Sequence, residues 1–138
     1  VYGIPLSIWY DWKNDGPDPD EWEHNFGTVT PDLDPKPAYA AIKTLNEQLG
    51  NFTFLQRIEI KNPNDFVLFP DEKGNGKIAA WTTEVPHNVI VEEIKTKPGT
   101  LMATDWSGKA VEVISDDGKL LVEMKVFPQY ITLPAGWE

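Results

Sequence analysis

Residues Ile4–Tyr10, IPLSIWY, form a short apolar run that stops abruptly at a polar loop. An apolar run bounded by turn residues reads as a buried strand. Strands covered on both faces, as in parallel sheets, show near-continuous rather than alternating hydrophobicity. Pro5, lacking an N–H, suits the first residues of such a strand. Aromatic and carboxylate side chains at the C-terminal end of a strand of this kind stand where open sheets and barrels place their ligands. A strand like this needs neighbours. Residues 1–50 offer only it and one helix, which cannot bury their apolar faces alone.

Asp11–Asp34 follows as a long loop, a length that in a compact domain usually signals function. Pro17, Pro19 and Pro31 hold it extended, and Gly16 and Gly27 allow positive φ. Trp22 and Phe26 are expected to pin it by burial. A helix is predicted over Pro37–Leu49, with Pro37 in the first turn, where its missing N–H costs nothing. Ala38, Ala41, Ile42, Leu45 and Leu49 fall on one apolar face. Gly50 stands where a helix end favours a left-handed residue.

From Phe52 the period changes to two. Apolar-rich segments at 52–60, 66–69, 77–82, 89–91, 100–104, 110–114, 119–126 and 130–133 alternate with turn residues. Asp71–Gly76 reads as one hairpin turn, and Ser115-Asp116-Asp117-Gly118 as a clearer one because of Asp-Gly. Val111 and Val113, then Leu120, Val122, Met124 and Val126, alternate with polar residues as a sheet wet on one side should. The fold class predicted is mainly β. An antiparallel β-sandwich of about eight strands is preceded by one strand, a long loop and one α-helix, with the boundary between residues 1–50 and 51–138.

Three motifs occur in order: S-I-W-Y-D-W-K-N-D-G from Ser7, E-H-N-F-G from Glu23 and P-K-P-A-Y-A-A-I-K-T-L from Pro35. Together they resemble the eighth strand, following loop and eighth helix of a clan A glycoside hydrolase barrel, cellulase-like or β-xylosidase-like. The later residues resemble, more loosely, the β-sandwich that follows the barrel in many of these enzymes. The resemblance implies a C-terminal segment of an enzyme acting on β-linked poly- or oligosaccharides, with an extracellular or periplasmic location. Glycosidases use two carboxyl groups about 5 Å apart when retaining and ~6.5–9.5 Å apart when inverting. In the resembled family both are glutamates on the fourth and seventh strands. No position here matches either motif, so no catalytic residue is assigned, and the chain alone is expected to be inactive. The missing N-terminal barrel portion is the implied partner, besides carbohydrate.

The resemblance implies that Trp9, at the end of the strand, forms a floor for a sugar, whose flat C–H faces pack on aromatic rings. The plain alternative for Trp9 is core packing. Trp12 would serve a neighbouring subsite or anchor the loop. Asn14 and Asp15 would bind sugar hydroxyls or only shape the turn. Glu23 and Asn25 read as loop-fixing hydrogen bonders. His24 and His87 stand apart with no Ser, Cys or second His nearby in sequence. The Asp15–Glu21 carboxylates lack EF-hand spacing, so no metal and no cofactor is expected.

A formal charge of −10, of which residues 1–50 carry −6, argues against nucleic acid and anionic membranes as partners. No apolar run approaches the ~20 residues of a membrane helix. The absence of cysteine removes disulfide and thiolate chemistry. A second function class stays open, a non-catalytic carbohydrate-binding or structural sandwich. It requires coplanar exposed aromatics, for which Trp81 and Trp106 are the candidates, with core packing as their default role. An unpaired edge on Ile4–Tyr10 would favour self-association of the isolated chain, or docking of strand and helix onto the sandwich.

Overall fold

The structure, a computed structural model, describes residues 7–72 and 75–134. Eight antiparallel strands follow one helix: α1 (Pro37–Leu49), then β1 (Thr53–Ile58), β2 (Asp65–Glu72), β3 (Asn75–Thr82), β4 (His87–Lys95), β5 (Gly99–Asp105), β6 (Ala110–Asp116), β7 (Lys119–Met124) and β8 (Gln129–Thr132). Their order in space is β1-β2-β3-β8-β5-β6-β7-β4. The sheet is mostly built of hairpins, and β8 is inserted between β3 and β5. β4 returns beside β7, giving a Greek-key arrangement of β4 with the β5–β7 meander. The sheet curls until its two edges, β1 and β4, border a common groove lined from Glu59 to Asn62 on one side and from His87 to Glu93 on the other.

Alternation does the folding. Ile58, Val67, Ile78, Ala80, Leu101, Ala103, Val113, Leu120, Val122, Met124 and Ile131 point into one closed core, most with no accessible surface. On β4 the period slips: a bulge between Val91 and Lys95 lets both Val91 and Ile94 face inward. The β6–β7 hairpin turns on Asp117 (φ 47°) and Gly118 (φ 77°), with Asp116 opposite Lys119. Two consecutive left-handed residues match the right-handed twist of the flanking strands, which is why Asp-Gly is the sequence found there. In the predicted β2–β3 turn, Glu72 faces Asn75; Lys73 and Gly74 lie outside the described residues. Val126, expected to continue the β7 alternation, lies beyond the strand and is half exposed.

The helix begins at Pro37 as expected, but its packing differs from the predicted apolar face. Its one buried residue is Thr44, whereas Leu45 keeps 44% of its surface exposed. The reason lies in the surface that receives the helix. Ala79, Trp81, Tyr130 and Pro128 form a wholly apolar strip on the outside of the sheet, and Ala41, Ile42, Leu45 and Leu49 cover it only in part, leaving a cavity of about 280 Å³. Beside this strip the β5–β6 turn presents Gly108, where an added Cβ would lie 3.2 Å from Thr44 Oγ1. Lys77 Nζ reaches Gln48 Oε1 at 2.7 Å. Gly50 is right-handed (φ −59°, ψ −25°), not left-handed; its N–H donates to Asn46 O and simply extends the helical ladder.

The strand predicted over Ile4–Tyr10 is not seen in its described part. Ile4–Leu6 lie outside the described residues, and Ser7–Tyr10 are irregular, with Ile8 81% exposed. Among the described residues none of the eight strands pairs with Ser7–Tyr10.

Gly108 has φ +89° as well as the Thr44 contact. Gly108→Ala is expected to destabilise the chain by about 1–2 kcal/mol in urea unfolding, the cost of a side chain in a left-handed conformation, with crowding of Thr44 added. A change within experimental error would show that Gly108 is not held at positive φ against Thr44.

Candidate functional site

Ahead of α1, three segments lie side by side. Phe26–Val29 is the middle one. On one flank, Asp11 N donates to Phe26 O (3.1 Å), Thr28 N and Val29 N to Trp12 O (3.0 and 3.1 Å), and Asn14 N to Val29 O (3.0 Å). On the other, Lys36 N donates to Thr28 O (3.0 Å) and Val29 bridges to Pro35. Gly27 lies directly against the Lys13–Asn14 backbone, where no side chain fits. The glycine of E-H-N-F-G is therefore required for close approach rather than for an unusual φ.

This ladder carries the two tryptophans singled out from sequence. The Trp9 indole Nε1–H donates to Phe26 O at 3.2 Å, and the Trp12 ring meets Tyr39 of α1 edge-on at 5.9 Å. Both rings stay well exposed, Trp9 at 59% and Trp12 at 60%. With Asp11, Thr28, Tyr39 and Ile42 they line an open cavity of about 490 Å³. Core packing of Trp9 is not what the described residues show. The peptide between Tyr10 and Asp11 is cis.

Asn14 and Asp15 are separated from this cavity by function as well as position. Asn14 is buried, and its Oδ1 accepts a hydrogen bond from Lys36 Nζ at 3.0 Å. Asp15 is exposed. Its carboxylate belongs to an acidic field around Tyr10, whose phenol is held above its ordinary range first by Asp15, then by Asp11, with slight burial and Glu23 adding to them.

The rest of the loop is fixed by polar contacts. Asn25 Nδ2 donates to the carbonyls of Asp18 (2.9 Å), Pro19 (3.2 Å) and Glu21 (2.8 Å), the loop-fixing role expected of it. Trp22, expected to anchor the loop by burial, is 80% exposed instead. It opens a 3-10 turn, Trp22–Asn25, that Asn25 already pins, and its ring touches only the edge of Phe26 at 6.4 Å. Among the described residues no group of three or more metal-ligating side chains occurs, and no helix is long and apolar enough to cross a membrane.

The sandwich tryptophans do not form a platform. Trp81 stacks on Phe66 across β2 and β3 at 4.9 Å and 4°, and the Arg57 guanidinium lies 4.4 Å from the Phe66 ring centre. Trp106 packs separately against Phe127 at 5.2 Å. Sequence reasoning also missed a polar cluster at one end of the sandwich. Asp65, 1% exposed, points inward and meets His87 Nε2 at 2.9 Å, while His87 Nδ1 lies 2.9 Å from Val85 O. Glu84 accepts from Asn62 (2.9 Å) and Asn64 (2.6 Å). These partners are some 20 residues apart in sequence, so no local signal joined them.

The chain is 32% identical to a family 39 glycoside hydrolase from Bacteroides cellulosilyticus WH2, with a TM-score of 0.76 over 91% of this chain and 26% of that one. The family 39 and family 30 structures it resembles are clan A glycoside hydrolases, and the chain is consistent with a C-terminal part of such an enzyme. A GH30 endoxylanase from Clostridium papyrosolvens C71 (7% identity, TM-score 0.59, 80% of this chain and 31% of that one) shares the fold. So does a family 30 subfamily 8 xylanase from Clostridium acetobutylicum (11%, 0.57, 78% and 31%). The chain thus spans about a quarter to a third of the length of these glycoside hydrolases. No protein-family model and no curated protein matches it.

Both His87 nitrogens face oxygen acceptors, an arrangement that only the imidazolium satisfies with two donors. Its pKa is accordingly raised, first by the Val85 carbonyl and next by the Asp65 hydrogen bond, with partial burial opposing them. The stabilisation is complete below the unfolded value of ~6.5 and is lost as pH rises through the folded value. Glu84, lowered by the Asn62 and Asn64 amides, acts at the other end, losing its contribution as pH falls through its folded pKa. His87→Gln should therefore flatten the decline in melting temperature from pH 6 to 8. An unchanged slope would show that His87 is not the titrating group.

Proposed function

We propose that this chain is the C-terminal segment of a glycoside hydrolase acting on β-linked poly- or oligosaccharides. In this reading residues 1–50 are the last strand, loop and helix of a (β/α)8 barrel. Residues 51–138 are an accessory β-sandwich that stabilises it. The observation that carries the proposal is the 32% identity to a family 39 glycoside hydrolase over 91% of the chain. Identity at that level supports a likeness that goes beyond fold.

Trp9 and Trp12 are the residues proposed to meet sugar. Two exposed indoles on one rigid ladder offer apolar faces to pyranose C–H groups, while Asp11 beside them accepts hydrogen bonds from hydroxyls. Asn14 and Asp15 enter the proposal in different ways. Asp15 faces solvent and is available to a hydroxyl; Asn14 acts from below by holding the loop. The two carboxyl groups that break a glycosidic bond lie outside this chain, in the barrel portion that is its proposed partner. The exposed Ile8 and Leu45 side chains are the surfaces that this portion would cover. The competing idea of a free-standing sugar-binding sandwich is disfavoured by Trp81 and Trp106, which are engaged with Phe66 and Phe127 in separate places.

The two xylanase neighbours make xylo-oligosaccharides the first substrates to try, with cello-oligosaccharides alongside. The chain alone is expected to release no sugar from either. In the intact protein, Trp9→Ala should lower kcat/KM about tenfold or more, since loss of a buried ring contact is worth ~1.5–3 kcal/mol and tenfold is about 1.4 kcal/mol. Turnover by the 138 residues alone, or a Trp9→Ala enzyme with undiminished kcat/KM, would refute the reading.

A further inference from the structure

Lys36 occupies a position that local rules disfavour. It is the N-cap of α1 and makes no side-chain cap hydrogen bond. Ser, Thr, Asp or Asn at this position would satisfy a free N–H of the first turn. A cation beside a helix N-terminus also opposes the helix dipole. Departures of this kind are expected where another requirement overrides local preference.

The other requirement is visible in the loop. The Lys36 side chain runs back beneath the Phe26–Val29 segment, and Nζ donates to Asn14 Oδ1 at 3.0 Å and to Asn25 O at 2.8 Å. Its own backbone N–H donates to Thr28 O. One residue thus joins all three segments of the ladder. Each atom it holds leads to an aromatic. Asn14 is two residues from Trp12, and its N–H is paired to Val29. Asn25 precedes Phe26, whose carbonyl takes the Trp9 indole N–H. An ammonium has three donors in a compact head and no acceptor, so it can bridge two carbonyl-type oxygens that would otherwise be left unpaired.

We infer that Lys36 is a positioning residue: its ammonium locks Asn14 and Asn25 together and so fixes the Trp9–Trp12 wall of the sugar site. The inference rests on the proposed function for what the wall binds, but the lock itself is a property of the loop. A residue that served only stability would be better replaced by an ordinary N-cap. Lys36→Ser makes that replacement and separates the two roles, while Lys36→Met keeps the aliphatic stem and removes only the ammonium.

The experiment uses the intact protein labelled with [indole-15N]tryptophan, with the Trp9 signal assigned through Trp9→Phe. Xylohexaose binding and melting temperature are measured alongside. In Lys36→Ser the gained cap offsets the two hydrogen bonds lost, so the melting temperature is expected to change little. The Trp9 indole signal should shift, exchange of the Asn14 amide should quicken at least tenfold, and xylohexaose affinity should fall at least tenfold. Lys36→Met should show the same loop changes, and Lys125→Met, in an exposed surface pair with Glu123, none. An unmoved Trp9 signal with unchanged Asn14 exchange in both Lys36 variants would overturn the inference. So would a fall in affinity that merely tracks a fall in melting temperature. Loop changes in the Lys36 variants, with xylohexaose affinity unaffected even by Trp9→Ala, would support the lock and refute the sugar-wall reading instead.

Discussion

The docking of α1 against the outer face of β3 and β8 is the contact on which the arrangement of the chain depends. The sandwich closes its own core through alternating side chains, and the loop ladder is held by backbone and amide hydrogen bonds. Among the described residues it is mainly the helix that connects the two. It does so with Thr44 buried beside Gly108 and with a partial apolar cover over Ala79, Trp81 and Tyr130. Because α1 carries Tyr39 against Trp12 and Lys36 into the loop, its seating on the sheet also sets where the exposed indoles stand.

The two halves of the chain are stabilised by different physics. The sandwich depends on removing apolar surface from water, and the buried Asp65 sits at one end with the half-buried His87, whose ring nitrogens face Val85 and Asp65. The loop has almost no apolar burial beyond Val29. It is ordered instead by carbonyls with well-placed donors: Asn25 serves three, and Trp12 O takes three donors including Thr28 Oγ1. That division leaves large aromatics free at the surface on a backbone that is nonetheless fixed, which suits recognition by stacking.

Legibility from sequence followed the same division. The strands of the sandwich were marked as apolar-rich segments between turn residues, β6 and β7 also by clean alternation, and Asp117-Gly118 marked its hairpin, because these signals report local backbone geometry and a single buried face. The start of α1 was equally legible from Pro37. The face that α1 buries was not, because an exposed apolar stripe reads the same whether this chain or another portion of protein covers it. The geometry of Gly108 then selected Thr44. Trp22 misled for a related reason: aromatic residues in a loop suggest anchoring, yet amide hydrogen bonds from Asn25 had already fixed the turn. Lys36 was invisible because sequence rules see a poor helix cap there, and its partners Asn14 and Asn25 come together only once the loop has folded. The irregular Ser7–Tyr10 segment reads as a strand from its apolar composition alone, which does not say what would pair with it.

The central claim is that the exposed indoles, the half-covered helix and the irregular Ser7–Tyr10 segment belong to a larger glycoside hydrolase. The most direct measurement is the intact mass of the native polypeptide, captured from its source with an antibody to the sandwich and read by mass spectrometry. A mass several times the 15.6 kDa of these 138 residues is expected, as for the family 39 structure of which this chain matches 26%. A mass near 15.6 kDa would contradict the claim and leave no room for a barrel or its catalytic glutamates.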